Sequence, residues 1–275
     1  MKIYLTAITA EIHWGYSIRM FPASATQKSI VVPPPTTIVG ALACAYATVN
    51  KLNREYSLVE EPFTTFSAEF LQEFDVKYAA LHLHEQIAEQ TLQTIRYFTM
   101  SVQAPKTDIN RFAETFKVAE MFAPVQIGYV VAPLITMTFI VLSGKPLPIV
   151  AAWSISRLGS RESLISIKKV MQSEVELRRV DKERENHLVN TYYFAELAMP
   201  QPPSTYMVER MPMPINREEW FQWFSFKLHS PSIERNVIIP LPRQYTSVKI
   251  LRDCFKIATK INETMLILLI PMEVM

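Results

Sequence analysis

The chain has 275 residues, 49% of them hydrophobic and 20% charged, with a formal net charge of +2. That composition fits a folded globular protein of one large domain or two small ones. The charge is too small to mark a nucleic-acid binder by itself, so any basic surface must be local.

The N-terminal segment 2–12 alternates as a strand and ends at Gly15; Glu11 and His13 interrupt its apolar run, so no signal peptide is expected. A loop over 16–32 follows. Pro33, Pro34 and Pro35 then form a stiff extended lead-in, after which Thr36 or Thr37 is expected to cap a small, apolar helix over about 36–52. Segment 63–78 is aromatic and reads as a strand. From about 79 to 125 the pattern is mixed and reads as an insertion projecting from the main fold.

Segment 126–142 reads as one long buried strand bent at Pro133; its apolar run is too short to span a membrane. Positions 146–158 have helical composition with Gly159 as the stop, and 161–170 alternates as a strand. The predicted order is strand, helix, strand, insertion, strand, helix, strand. This is the split βαβ pattern, so the fold class is α+β with a ferredoxin-like, RRM-like βαββαβ N-terminal domain over 1–172. The charge-mixed run 172–187 reads as a solvated connector. Beyond it, 188–275 reads as a smaller β-rich C-terminal domain, with strands over 188–198, 205–210, 220–229 and 237–241. A final hairpin over 255–261 and 265–270 closes it.

Two loops carry a local basic excess. Between positions 12 and 40 stand Arg19 and Lys28 with no acid. Between 145 and 170, Lys145, Arg157, Arg161, Lys168 and Lys169 face Glu162 alone. Together with the N–H groups opening the helix at Thr36 and Thr37, they are expected to form a phosphodiester-binding rim. On the segment 155–163, Ser160, Arg161 and Ser163 on the Gly159 turn suit phosphate or sugar contact. Trp14 and Tyr16, near Arg19, are candidates for base stacking, whereas the RNP1 pattern of an RRM is absent. Trp220, Phe221, Trp223, Phe224 and Phe226 read as core.

His13, His82 and His84 are the acid–base candidates, and Tyr97, His82 or His13 acting with a lysine could form a metal-free RNA-cleaving site. Cys44 and Cys254 have no ligand spacing around them and read as reduced, buried thiols of a cytoplasmic protein. No metal site is expected. The absence of GxGxxG and P-loop motifs argues against a nucleotide cofactor, and none is expected.

Three stretches taken together carry a resemblance: Trp14-Gly15-Tyr16 through Arg19, Ser29 through Pro33-Pro34-Pro35-Thr36-Thr37 to Gly40-Ala41-Leu42, and Arg157-Leu158-Gly159-Ser160-Arg161-Glu162-Ser163. The chain resembles, over about residues 1–170, the CRISPR-associated RAMP proteins of family five, and its short Leu-Gly-Ser-Arg-Glu-Ser form is similar to the archaeal type I-A (Apern) branch. The resemblance implies a β-hairpin thumb inserted in the ferredoxin-like domain, at about 79–125. It also implies a non-catalytic subunit of a hetero-oligomeric Cascade complex that binds the 5′ handle of crRNA and touches the backbone subunit and the large subunit. By the same carry-over Arg19, Lys28, Thr36, Thr37, Gly40, Arg157, Gly159, Ser160 and Arg161 are the RNA-side residues. One branch of the family processes crRNA with a Tyr–Lys–His constellation. No matching triad can be placed here, which leaves a metal-independent endoribonuclease as the alternative. A structural partner that never touches RNA is a third reading, kept open by the near-neutral charge.

Overall fold

In the computed structural model, the strand β1 (Ile3–Ile12) occupies the middle of the main sheet, with β3 (Ile135–Ser143) on one side and β4 (Ile165–Val175) on the other. The described residues are 2–18, 29–52, 56–57, 64–85, 89–96, 124–159, 163–180, 186–190, 192–195, 197–201, 206–224, 233–240, 245–261 and 264–274. The strand β2 (Val76–Leu83) adds to β3, so the sheet order is β2-β3-β1-β4 and every neighbouring pair is antiparallel. The helix α1 (Pro35–Val49) and a second helix, α2 (Phe66–Phe74), lie between β1 and β2 in sequence; the short helix α3 (Ile149–Trp153) lies between β3 and β4. The fold is thus mixed α and β and rich in strands, as expected.

One side of the sheet, at Tyr78, Ala80 and Ile140, is covered by the C-terminal segments around Val189–Phe194 and Leu268–Leu269. Leu81, Phe139 and Ile8 alternate to the opposite side and are fully buried, and α1 packs on β2, α2 and α3 there. The C-terminal part carries three small antiparallel sheets and α4 (Arg217–Phe224). The expected terminal hairpin is present, as Cys254–Ile261 paired with Thr264–Pro271.

Several expectations are corrected. Segment 63–78 is not one strand: Phe66, Phe70 and Phe74 recur every four residues, which is a helical stripe, and they gather around Tyr46 of α1 with ring centroids 5.2–6.2 Å from it. Asp75, left-handed at φ 51°, ends α2 and the chain turns directly into β2. Likewise, the expected strand at 220–229 is helical as far as Phe224. Asn216 accepts the Glu219 N–H at 2.9 Å and the Glu219 carboxylate returns to the Ile215 N–H at 2.9 Å, a reciprocal cap that starts α4.

The single bent strand of 126–142 is instead two strands. Pro124–Val131 pairs outside the main sheet with Glu89–Arg96 and with Gly15–Tyr16, and a turn at Pro133 and Leu134 separates it from β3. Because β2 runs to Leu83, the first residues of the expected insertion at 79–125 belong to the main sheet; positions 97–123 lie outside the described residues. The helix expected over 146–158 is only the five residues of α3. The supposed connector is largely strand: β4 continues to Val175, and Arg178–Val180 pairs with the terminal hairpin. Cys254 is buried as expected, but Cys44 is exposed on α1.

Candidate nucleic-acid interface

The two basic loops rise from stems that touch. Ile30 donates its N–H to the Ile18 carbonyl at 2.8 Å, and the buried Ser29 hydroxyl accepts the Ile18 N–H at 3.0 Å. These bonds close the base of the first loop; Arg19 and Lys28 lie beyond it, outside the described residues. The second stem is a narrow hairpin. Leu158 donates to the Ser163 carbonyl at 3.0 Å, Ile165 to the Ser156 carbonyl at 3.0 Å, and Arg157 bridges to Leu164. Ser160 and Arg161 at its tip are also outside the described residues.

Gly159 joins the stems. Its φ is +86°, and a Cβ there would stand 2.9 Å from Ile18 Cγ1 and 3.3 Å from the Ser17 carbonyl oxygen. Only glycine allows both the left-handed turn and this approach. It does not stop a helix, as the sequence suggested, because α3 ends six residues earlier at Trp153. Ser163 is fully buried and accepts the Ser17 N–H at 3.3 Å, so its hydroxyl joins the stems and does not face solvent.

The opening of α1 differs from expectation. Pro34 is the N-cap, with no side-chain capping bond from Thr36 or Thr37. The Thr37 and Ile38 N–H groups both turn onto the Pro34 carbonyl, at 3.0 and 3.3 Å, and Pro35 has no N–H. Thr36 is buried and Thr37 half-buried. The first turn therefore lacks the fan of open N–H groups that an anion site needs. Gly40 is half-buried and looks onto the Phe224 ring, 4.0 Å from a Cβ built there.

A carboxylate that sequence reasoning missed holds the proline lead-in. Glu209, 178 residues away, accepts the Val31 N–H at 2.7 Å and the Val32 N–H at 3.4 Å. Burial pushes its carboxyl up to about 7, against the opposing pull of the two N–H groups. The Tyr16 hydroxyl donates to the Val31 carbonyl and Tyr193 donates to the Pro33 carbonyl at 3.0 Å. Burial, helped by Glu209, keeps the Tyr16 hydroxyl well above its ordinary range and so a neutral donor. Tyr16 is thus a buried strut and unsuited to stacking, whereas Trp14 is 70% exposed.

The other candidates are dispersed. Arg157 and Lys169 are exposed, but Lys168 is paired with Glu11 at 3.1 Å. The His82 and His84 rings do face one side, 4.6 Å apart, with His84 Nε2 2.8 Å from the Thr138 hydroxyl. His13 lies elsewhere on the sheet end, with Nε2 2.7 Å from the Ser166 hydroxyl. Tyr97 is outside the described residues. Among the described residues no group of His, Cys, Asp or Glu is placed to hold a metal ion, and no helix is long and apolar enough to cross a membrane.

Comparison with known structures bears first on the fold. The fold matches that in a crystal structure of a CRISPR protein from Archaeoglobus fulgidus, with a TM-score of 0.56 over 96% of this chain and 98% of that one, at 17% identity. At that identity the likeness speaks for the fold alone. In sequence, the chain is 28% identical over 167 residues to the CRISPR-associated protein Cas5 2 of Saccharolobus solfataricus. The match covers 60% of this chain and 59% of that relative's length. Together these bear out the resemblance to the CRISPR-associated RAMP proteins of family five. A chain in the cryo-EM structure of the Type III-B Cmr-beta bound to cognate target RNA has a TM-score of only 0.35, too low to carry an argument. No family model matches the chain.

Proposed function

We propose that the protein is a non-catalytic crRNA-binding subunit of a type I, I-A-like CRISPR interference complex. In this reading it grips the 5′ handle of crRNA, caps the backbone filament and meets the backbone and large subunits in the cytoplasm. Its N-terminal half, by the same reading, is a ferredoxin-like domain with a thumb inserted between β2 and β3. The antiparallel order β2-β3-β1-β4, with helices between β1 and β2 and between β3 and β4, supports that assignment. So does the pairing of Glu89–Arg96 with Pro124–Val131 outside the main sheet.

The observation that carries the RNA reading is the contact of the two loop stems at Gly159 and Ile18. Loops remote in sequence, one with Arg19 and Lys28 and one with Arg157, Ser160 and Arg161, start from a single point. Two basic loops with neighbouring stems suit a flexible polyanion better than a small ligand, since each cation can take a separate phosphate. The occluded first turn of α1 shifts the burden from Thr36, Thr37 and Gly40 to these loops.

The test is Arg19→Ala combined with Arg161→Ala, both substitutions lying on loops. Affinity for repeat-derived RNA should fall, and the slope of log K against log salt should flatten by about 1.4, or about 0.7 per lost phosphate contact on a single strand. Unchanged affinity and slope would remove the loops from the interface.

A further inference from the structure

The end of the main sheet beside the loop stems carries an apolar cluster that the phosphate contacts leave unused. After β1 the chain bends at His13 and Trp14, and this bend is tied on both sides. His13 donates its N–H to the Leu164 carbonyl at 3.1 Å, Leu134 donates to the His13 carbonyl at 3.4 Å, and Ala132 donates to the Trp14 carbonyl at 2.9 Å. The His13 ring, bonded to Ser166 at 2.7 Å, fixes the bend to the start of β4.

Around this tied bend the large apolar side chains face outward. Trp14 is 70% exposed, Leu134 67% and Leu164 45%. A single exposed leucine needs no explanation, but an indole and two leucines exposed on residues whose backbones meet at one bend make this sheet end a candidate contact surface. Leu134 also has a φ of +58°. That left-handed conformation is costly for a residue with a γ-branched side chain, and here the leucine gains no burial in return.

The flank of the patch decides what fits it. Leu164 is the bridge partner of the exposed Arg157, so an exposed leucine and an exposed cation lie side by side at this bend. Lys169 is exposed further along β4, and the nearby acid Glu11 is occupied by Lys168. A flat aromatic face beside cations has the chemistry of an unpaired nucleotide, with the base on the ring and the phosphate on the cation. An apolar protein partner would not need the cationic flank.

We infer that Trp14, at the bend it shares with Leu134 and Leu164, is a stacking platform for an unpaired nucleobase of single-stranded RNA whose backbone continues toward Arg157. This rests on the RNA-binding reading above and adds the part of the ligand that those cations do not recognise. Stacking is sequence-tolerant, so the platform fixes the path of the strand and leaves its sequence unread.

The test uses the full chain with a fluorescently labelled repeat-derived handle RNA and an abasic oligomer of the same length and charge. The wild-type protein should prefer the handle RNA. Trp14→Ala should cut that preference by about 5- to 150-fold while leaving abasic binding and the salt slope unchanged, and Trp14→Phe should restore most of it. If Trp14→Ala keeps the wild-type preference, the platform is refuted while the RNA-binding reading stands. If the wild-type protein binds neither oligomer, that reading fails and the platform with it. Leu134→Gly, which removes the leucine side chain without disturbing the left-handed turn, should reduce the preference in part; no reduction counts against the leucine's share.

Discussion

Glu209 shows how much one buried group can determine. Its carboxyl keeps its proton up to about pH 7 in the folded chain, against an ordinary value of 4.5. Between those values the folded chain holds a proton that the unfolded chain has lost. The stability this confers is fully present below about pH 4.5 and is lost as pH rises through 7, by roughly 3 kcal/mol in all. Glu209→Gln removes this titration, so its denaturant-unfolding profile should lose the decline that the carboxyl contributes to the wild type between about pH 5 and 7. Parallel profiles would mean that the carboxylate is not buried as described. The glycines give a second contrast at this scale. Gly159→Ala places a Cβ 2.9 Å from Ile18 on a φ of +86°, which should cost about 1–3 kcal/mol and weaken RNA binding with it. Gly40→Ala meets only Phe224 at 4.0 Å and sits in a helix, where alanine is worth up to about 1 kcal/mol over glycine. It should leave binding intact and stability equal or higher; lost binding would return Gly40 to the interface.

Among the elements, α4 is one that ties the C-terminal part to the main sheet. Trp220 is buried, stacks on Phe224 and donates its indole N–H to the Lys77 carbonyl on β2 at 3.1 Å. The Arg235 guanidinium holds the Glu219 carboxylate through two bonds, at 2.6 and 3.0 Å, on the flank of the same helix. Trp220→Ala should cost about 3–5 kcal/mol by denaturant unfolding. A loss below about 1 kcal/mol would show that α4 is not anchored there. This element was also the hardest to read in the sequence. Trp220, Phe224 and Phe226 share one face of a strand as readily as Trp220, Trp223 and Phe224 share one face of a helix, and short apolar runs do not separate the two periods. The same ambiguity hid α2, whose Phe66, Phe70 and Phe74 also fit every second position of a strand. By contrast β1, the terminal hairpin and the proline-led α1 were legible because turn residues bound them. The stems were legible as loops, since bases and a scarce glycine mark them, but their contact was not. Local pattern gives no sign that Gly159 meets Ile18 or that Glu209 reaches Val31, because those partners are chosen by packing across the whole chain.

At the scale of the molecule, the C-terminal part holds the proline lead-in and covers one side of the main sheet. Glu209 and Tyr193 hold the segment from Val31 to Pro33, Thr65 bonds the Phe224 carbonyl at 2.7 Å, and Val189 through Phe194 cover one side of the main sheet. Each of these polar contacts joins a side chain to a backbone group, which fixes the geometry of the lead-in. Trp14 and Arg157 stay exposed beside the stems, an aromatic face and a cation of the kind that single-stranded RNA uses. The most direct measurement is to incubate the purified protein, without metal, with labelled precursor crRNA and to resolve the mixture on native and denaturing gels. The expected result is a shifted complex whose RNA is intact and whose formation needs the handle. Site-specific cleavage within the repeat would contradict a non-catalytic role and bring His13, His82, His84 and Tyr97 forward, and handle RNA that shifts no better than a scrambled oligonucleotide would contradict the role in crRNA binding altogether.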